Sequence, residues 1–222
     1  MIYITNFEND EEYNSSKNSL NFPNISVSLE EHNVYYNPYV ATDLRVIVKY
    51  NVTSASSAIG LYDSSYNSSN WASMEVDGVE VTPTSSYTFD TTGEHTVKFT
   101  LAEGVTSIGN SAFSYCSELT SITISDSVTS IGDYAFSTCS GLMSITIPDS
   151  VTSIGSSVFY GCSGLTSITC NITTAPTISA NTFQGVKSGG TLTVPAGSTG
   201  YDVWMGTGNY YLGKYGWTKV EQ

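Results

Sequence analysis

The sequence predicts a mainly β protein made of a small N-terminal module, a β-sandwich and a short, capped solenoid of repeats. Three observations carry that expectation. One 23-residue phrase occurs three times between Val105 and Asn171, the signature of units that cannot bury their apolar face alone and stack on their neighbours. Apolar alternation broken by turn residues fills the stretch before it, from Asp43 to Leu101. Charged residues make up only 12% of the chain, while Ser, Thr, Asn, Gly and Tyr dominate the polar positions. That composition suits strands and turns better than salt-bridged helices.

Val105-Thr106-Ser107-Ile108-Gly109 returns at Val128–Gly132 and again at Val151–Gly155. Phe113, Phe136 and Phe159 keep the same spacing, as do Cys116, Cys139 and Cys162, then Leu119, Leu142 and Leu165. Leu119-x-x-Ile122-x-Ile124 fits the strand of a leucine-rich repeat, with all three side chains turned inward. The phrase Ile-Gly-x-x-Ala-Phe-x-x-Cys-x-x-Leu-Thr-Ser-Ile-Thr-Ile-Pro-Asp-Ser-Val resembles the BspA-like leucine-rich repeat. That family is common in surface proteins of gut bacteria, in some protists, and in the viruses and phages living among them. Over about half of the chain the resemblance implies a right-handed solenoid, a binding or adhesive role and no catalytic residues.

Residues 1–40 read as an N-terminal attachment module. Asp10 to Leu20 suits a short helix with acidic residues in its first turn, favoured by the helix dipole. Ile25–Leu29 and Val34–Tyr36 then suit a hairpin. The order of acidic helix, Pro-Asn-Ile-Ser-Val-Ser-Leu-Glu and Val-Tyr-Tyr-Asn-Pro-Tyr is similar to N-terminal segments of virion proteins from gut phages. In residues 41–101, Leu44 to Val52 alternates for a long run, and Asp77-Gly78 is a strong hairpin signal because both residues tolerate positive φ. Tyr87–Phe89 and His95–Leu101 bracket a turn at Thr91-Thr92-Gly93. Five or six short strands at this spacing predict an immunoglobulin-like β-sandwich. Lys98 to Val105 aligns with Ser121 to Val128, so the last sandwich strand is expected to serve as the first rung of the repeats.

The repeats are expected over 102–195. Beyond Asn171 they decay, with one inserted residue before Phe183, Leu192 and Val194. Residues 196–222, rich in Tyr and Trp, read as an aromatic cap, because terminal repeats need a polar outer face. Trp204, Tyr210 and Tyr211 are an alternative contact surface there, since aromatics are enriched in binding patches.

Twenty acidic against 7 basic residues give a formal charge of −13, a field that repels phosphate backbones and disfavours nucleic acid as a partner. No segment reaches the ~20 apolar residues of a membrane span. The first residues lack the basic start and apolar core of a secretory signal, so conventional export is not expected. Of the four cysteines, three share one repeat register and Cys170 replaces an inward Ile. Without a close Cys pair for zinc, buried thiols filling the core are expected. The two histidines, His32 and His95, stand far apart, and no nucleophile motif or phosphate loop occurs. Asp126 and Asp149 recur beside Ser and Pro, which suits turns better than calcium. Neither an enzyme nor a cofactor is expected.

Hydroxyls recur on the expected outer face of the strands. Ser121, Thr123 and Ser125 alternate with the inward residues, followed one rung on by Ser144, Thr146 and Pro148, then by Ser167, Thr169 and Asn171. Rungs about 4.8 Å apart turn these into short ladders. Thr and Ser also simply suit exposed strands, and a flat polar face for carbohydrate or protein is the functional alternative. The expected role is a virion structural protein of a gut phage, as a fibre, decoration or host-attachment protein at the virion surface. Its expected partners are other virion proteins through the N-terminal module and a host-surface protein or glycan, with a homo-oligomer left open. A bacterial cell-surface adhesin is the alternative.

Overall fold

A strand whose every second residue is apolar has one dry face, and Val46, Val48, Tyr50 and Val52 give such a face to β1 (Arg45–Val52). The computed structural model describes residues 44–66 and 68–222, which belong to one unit, Val40–Gln222. The helix and hairpin expected within residues 1–40 lie outside the described residues. After β1 come the short β2 (Ala58–Gly60), β3 (Trp71–Val76), β4 (Val79–Val81) and β5 (Ser86–Thr88), then the long β6 (Gly93–Leu101). The repeats follow with β7 (Ser107–Ile108), β8 (Leu119–Thr123), β9 (Ser130–Ile131), β10 (Ser144–Ile147), β11 (Ser153–Ile154) and β12 (Ser167–Cys170). The chain closes with β13 (Thr191–Val194) and β14 (Thr218–Glu221).

One nine-stranded sheet runs in the order β14-β13-β12-β10-β8-β1-β6-β3-β4. Its repeat half is parallel and in register: Ile122, Ile145, Ile168 and Leu192 stand side by side and are buried. A second sheet of β7, β9 and β11 repeats the stacking with Ile108, Ile131 and Ile154. Close approach explains the Gly that follows these isoleucines. A Cβ on Gly132 would lie 2.6 Å from the backbone N of Asn110, and one on Gly155 2.6 Å from that of Asp133.

The segment expected as an immunoglobulin-like sandwich is assembled differently. Instead of two facing sheets, β4, β3, β6 and β1 form an antiparallel extension of the repeat sheet. Only the ribbon of β2 and β5 stands outside it. The Asp77-Gly78 hairpin forms, both residues having positive φ. The expected direct step from β6 to the repeats is also altered, because antiparallel β1 lies between β6 and β8. Yet β7, which follows β6, pairs directly with β9. The first unit is therefore two strand spacings wide on the sheet side and one on the other. Aromatic bulk occupies that region: Trp71 lies 4.8 Å from Phe99, with Tyr62 and Tyr66 packed on Trp71 at 5.9 and 5.5 Å.

Between the sheets runs a spine of phenylalanines. Phe113, Phe136, Phe159 and Phe183 stack at 5.6, 5.8 and 5.7 Å, each tilted 13° or less from its neighbour. Phe99 and Trp71 close one end, and Trp204 closes the other at 5.4 Å from Phe183. The aromatic tail contributes two further buried anchors. Tyr201 donates to the Ile172 carbonyl, and Trp217 Nε1 donates to that of Lys187. β14 then adds one more parallel rung at the outer edge of the sheet. Both outer edges of the large sheet, β4 and β14, are short and carry charges, which discourages edge-to-edge pairing.

Candidate functional site

Strand register places the hydroxyls in two continuous rows. Thr123, Thr146, Thr169 and Thr193 occupy equivalent positions on neighbouring rungs, and Ser121, Ser144, Ser167 and Thr191 form the row beside them. All are at least partly exposed, as expected from their alternation with the buried isoleucines. The rows do not stop at the repeats. Thr123 stands opposite Ile47, Ile47 opposite Lys98, and Lys98 opposite Glu75; in the other row Ser121 meets Lys49 and Lys49 meets Thr96. The hydroxyl face thus passes into a charged one, where Lys49 pairs with Glu94 at 2.7 Å and Lys98 with Glu75 at 3.3 Å.

Several residues of the expected surfaces lie elsewhere. Ser125 and Pro148 are buried, because the chain has left the strand and turned toward β9 and β11. Trp204 is 1% exposed and donates Nε1 to the Pro176 carbonyl at 3.0 Å, so it closes the core and offers no contact surface. Tyr210 and Tyr211 remain half-buried, with Lys214 Nζ 4.2 Å above the Tyr210 ring.

The turn side of the solenoid holds an arrangement that unit-by-unit comparison of the sequence does not reveal. Between β7 and β8, β9 and β10, and β11 and β12 the chain makes tight turns whose N–H groups point along the stack. Ser111 and Tyr115 donate to the carbonyls of Asp133 and Ser137, and Tyr134 and Thr138 to those of Ser156 and Tyr160. Each of these donors has positive φ, between 56° and 62°, which costs a residue with a Cβ about 1–2 kcal/mol. At the position of Tyr115 and Thr138 the next two units use Gly161 and Gly185, whose φ is also positive.

These turns enclose a groove of about 460 Å³. Ser111, Ser114 and Tyr115 line it from the first unit, Tyr134, Ser137 and Thr138 from the second, Ser157 and Tyr160 from the third, and Asn181 from the fourth. No acidic or basic side chain lines it. Its tyrosines are 74%, 49% and 41% exposed at positions 115, 134 and 160. The usable signal in the sequence was a single Tyr in each turn, at a different offset each time.

The titratable groups serve the framework. Cys116, Cys139, Cys162 and Cys170 are buried free thiols; the Sγ of Cys139 and Cys162 donate to the carbonyls of Phe113 and Phe136 at 2.8 and 3.0 Å. Burial pushes the Cys162 thiol up to about 12 and raises the others as well. His95 is raised by its hydrogen bond to Asp77, 2.6 Å from Nδ1, while Nε2 faces the Thr91 carbonyl at 3.1 Å. Among the described residues no three His, Cys, Asp or Glu side chains gather to hold a metal ion, and no helix is long and apolar enough to cross a membrane.

The family model of the BspA type leucine rich repeat region matches residues 82–201 in six copies, more than half of the 222 residues. The match includes β6 and reaches Tyr201. No curated protein and no solved structure matches the chain.

Proposed function

The chain belongs to the BspA type leucine rich repeat family, and on that premise we propose that it is a non-enzymatic structural and binding protein that presents its solenoid to a protein or glycan. The observation that carries this reading is the row Thr123, Thr146, Thr169 and Thr193, a regular polar face standing on a closely stacked aromatic core. Such a face needs no rearrangement to meet a partner, so little ordering cost is set against its contacts.

Its proposed setting is the surface of a gut phage particle, as a fibre, decoration or host-attachment protein held to other virion proteins through residues 1–40. The family match covers residues 82–201 and leaves residues 1–40 outside it, so this setting rests on the sequence reading of those residues alone. A bacterial cell-surface adhesin is the second reading, favoured by the family itself. Gold-labelled antibody on purified particles and on cells separates them: label on particles is expected, and label confined to cell envelopes would contradict the phage setting. The face is tested by changing Thr123, Thr146 and Thr169 together to Lys. Attachment to host cells should be lost, and attachment that survives would remove the strand face from the account.

A further inference from the structure

We propose that the turn-side groove between Tyr115, Tyr134 and Tyr160 is a binding site for a neutral oligosaccharide. The inference rests on reading the protein as a binding module, and it adds a second, oligosaccharide site on the turns, apart from the strand face that the attachment test addresses.

Three observations carry it. The first is chemistry. Tyrosine offers an apolar ring and a polar tip, and the groove sets three of them among serine, threonine and asparagine side chains. A sugar ring has the complementary character, with a C–H face that packs on an aromatic ring and a rim of hydroxyls that exchange hydrogen bonds. The second is charge. The lining holds no carboxylate and no cation, and the chain carries −13 overall. An anionic glycan would gain no ion pair here and would meet an unfavourable field, which selects a neutral one.

The third observation is the cost of the arrangement. Tyr115 is 74% exposed, so its ring gains little from packing, yet it sits at φ 62° where later units have Gly161 and Gly185. A Cβ built on Gly161 approaches nothing closer than 3.4 Å, so space does not dictate the choice between Gly and a larger residue. Tyr134 likewise has φ 57°, at the register where the neighbouring units carry Ser111 and Ser157. The turn backbone sets these angles in every unit, at Ser111, Thr138 and Ser157 as well, so the feature left unexplained by folding is that exposed Tyr rings occupy two such positions. Lining residues come from four successive rungs, three steps of about 4.8 Å or roughly 14 Å in all. That length suits several linked sugar rings better than a single one.

Calorimetric titration of the full chain with cellohexaose, chitohexaose, maltohexaose and xylohexaose tests the proposal. A heparin hexasaccharide and a proline-rich peptide serve as comparators. At least one neutral hexasaccharide should bind. Changing Tyr115→Gly, Tyr134→Ser and Tyr160→Ser together should weaken it by about tenfold or more, whereas Tyr115→Phe, which keeps the ring, should retain binding. The melting temperature of Tyr115→Gly should not fall below the wild-type value, since Gly relieves that φ, so weaker binding in that variant is not loss of fold. Binding by none of the neutral sugars, binding only of the peptide, or sugar binding that survives the triple tyrosine change would overturn the proposal. Sugar binding abolished by the three Thr→Lys changes but not by the tyrosine changes would overturn it too, while leaving the protein a binding module through its strand face. Host attachment that survives both sets of changes would count against that broader reading as well.

Discussion

On the strand side, Ser121, Ser144 and Ser167 stand in one row and Thr123, Thr146 and Thr169 in the next, so each rung repeats the chemistry of the last. On the turn side, Tyr115, Tyr134 and Tyr160 come from three different positions within the unit, and two of them adopt a backbone conformation that glycine would take more easily. Uniform rows are what exposed parallel strands favour for their own stability. An irregular set that converges on one groove has no such explanation in the repeat itself. The contrast teaches that in a solenoid the departures from the repeat are more informative about recognition than the repeat.

Breaking the common framework should abolish both faces and produce the largest effect. Phe136 is fully buried between Phe113 and Phe159, and Phe99 joins the antiparallel strands to the spine. Replacing either with Ala should cost about 3–5 kcal/mol in denaturant unfolding. A loss at Phe99 well below that range would mean that the antiparallel strands are only tethered to the repeats.

The strand face should be much more tolerant. Three lysines at Thr123, Thr146 and Thr169 place like charges on neighbouring rungs, which destabilises by less than about 1 kcal/mol per pair. A cooperative melt close to the wild type is therefore expected, and gross unfolding would show that these threonines carry packing.

A smaller effect comes from a pair that belongs to neither face. His95 is raised from 6.5 by its hydrogen bond to Asp77, so its contribution is complete below pH 6.5 and fades as pH rises through the raised value. For Asp77, burial acts against the charged form, but the hydrogen bonds from His95 and Thr96 outweigh it and hold the carboxyl below 3.8. Its contribution is complete above 3.8 and fades as pH falls through the lowered value. The pair therefore helps most between about pH 4 and 6.5. Because Asp77 is half-exposed, the change should stay under about 1 kcal/mol. Melting temperatures of wild type and His95→Gln should converge as pH rises above neutrality, and a constant gap would contradict the assignment.

Much of this was legible because it recurs. Phe113, Cys116, Leu119 and Ile122 reappear at fixed intervals, and a buried, stacked position demands a side chain of the same shape each time. The place of β1 was not legible. Its alternation is the same whether it faces another sheet or lies beside β8, and pairing between residues as far apart as Val48 and Ile122 leaves no local mark. Ser125 and Pro148 seemed outward because strand alternation was extended past the strand ends. Trp204 stood only as an alternative contact residue of the cap, because the repeat spacing had decayed and hid that its ring continues the phenylalanine spine. The groove was hidden by the comparison that reveals everything else: aligning units sets Tyr115 against Thr138, Tyr134 against Ser157, and Tyr160 against Ser137.

The most direct test of the contrast between the two faces is a residue-resolved NMR titration of the full chain with the neutral hexasaccharide that binds best. The account predicts shifts concentrated at Tyr115, Tyr134 and Tyr160 and at the Ser and Thr residues around them, with Thr123, Thr146 and Thr169 unmoved. Shifts that follow the threonine row and leave the tyrosines unchanged would contradict it.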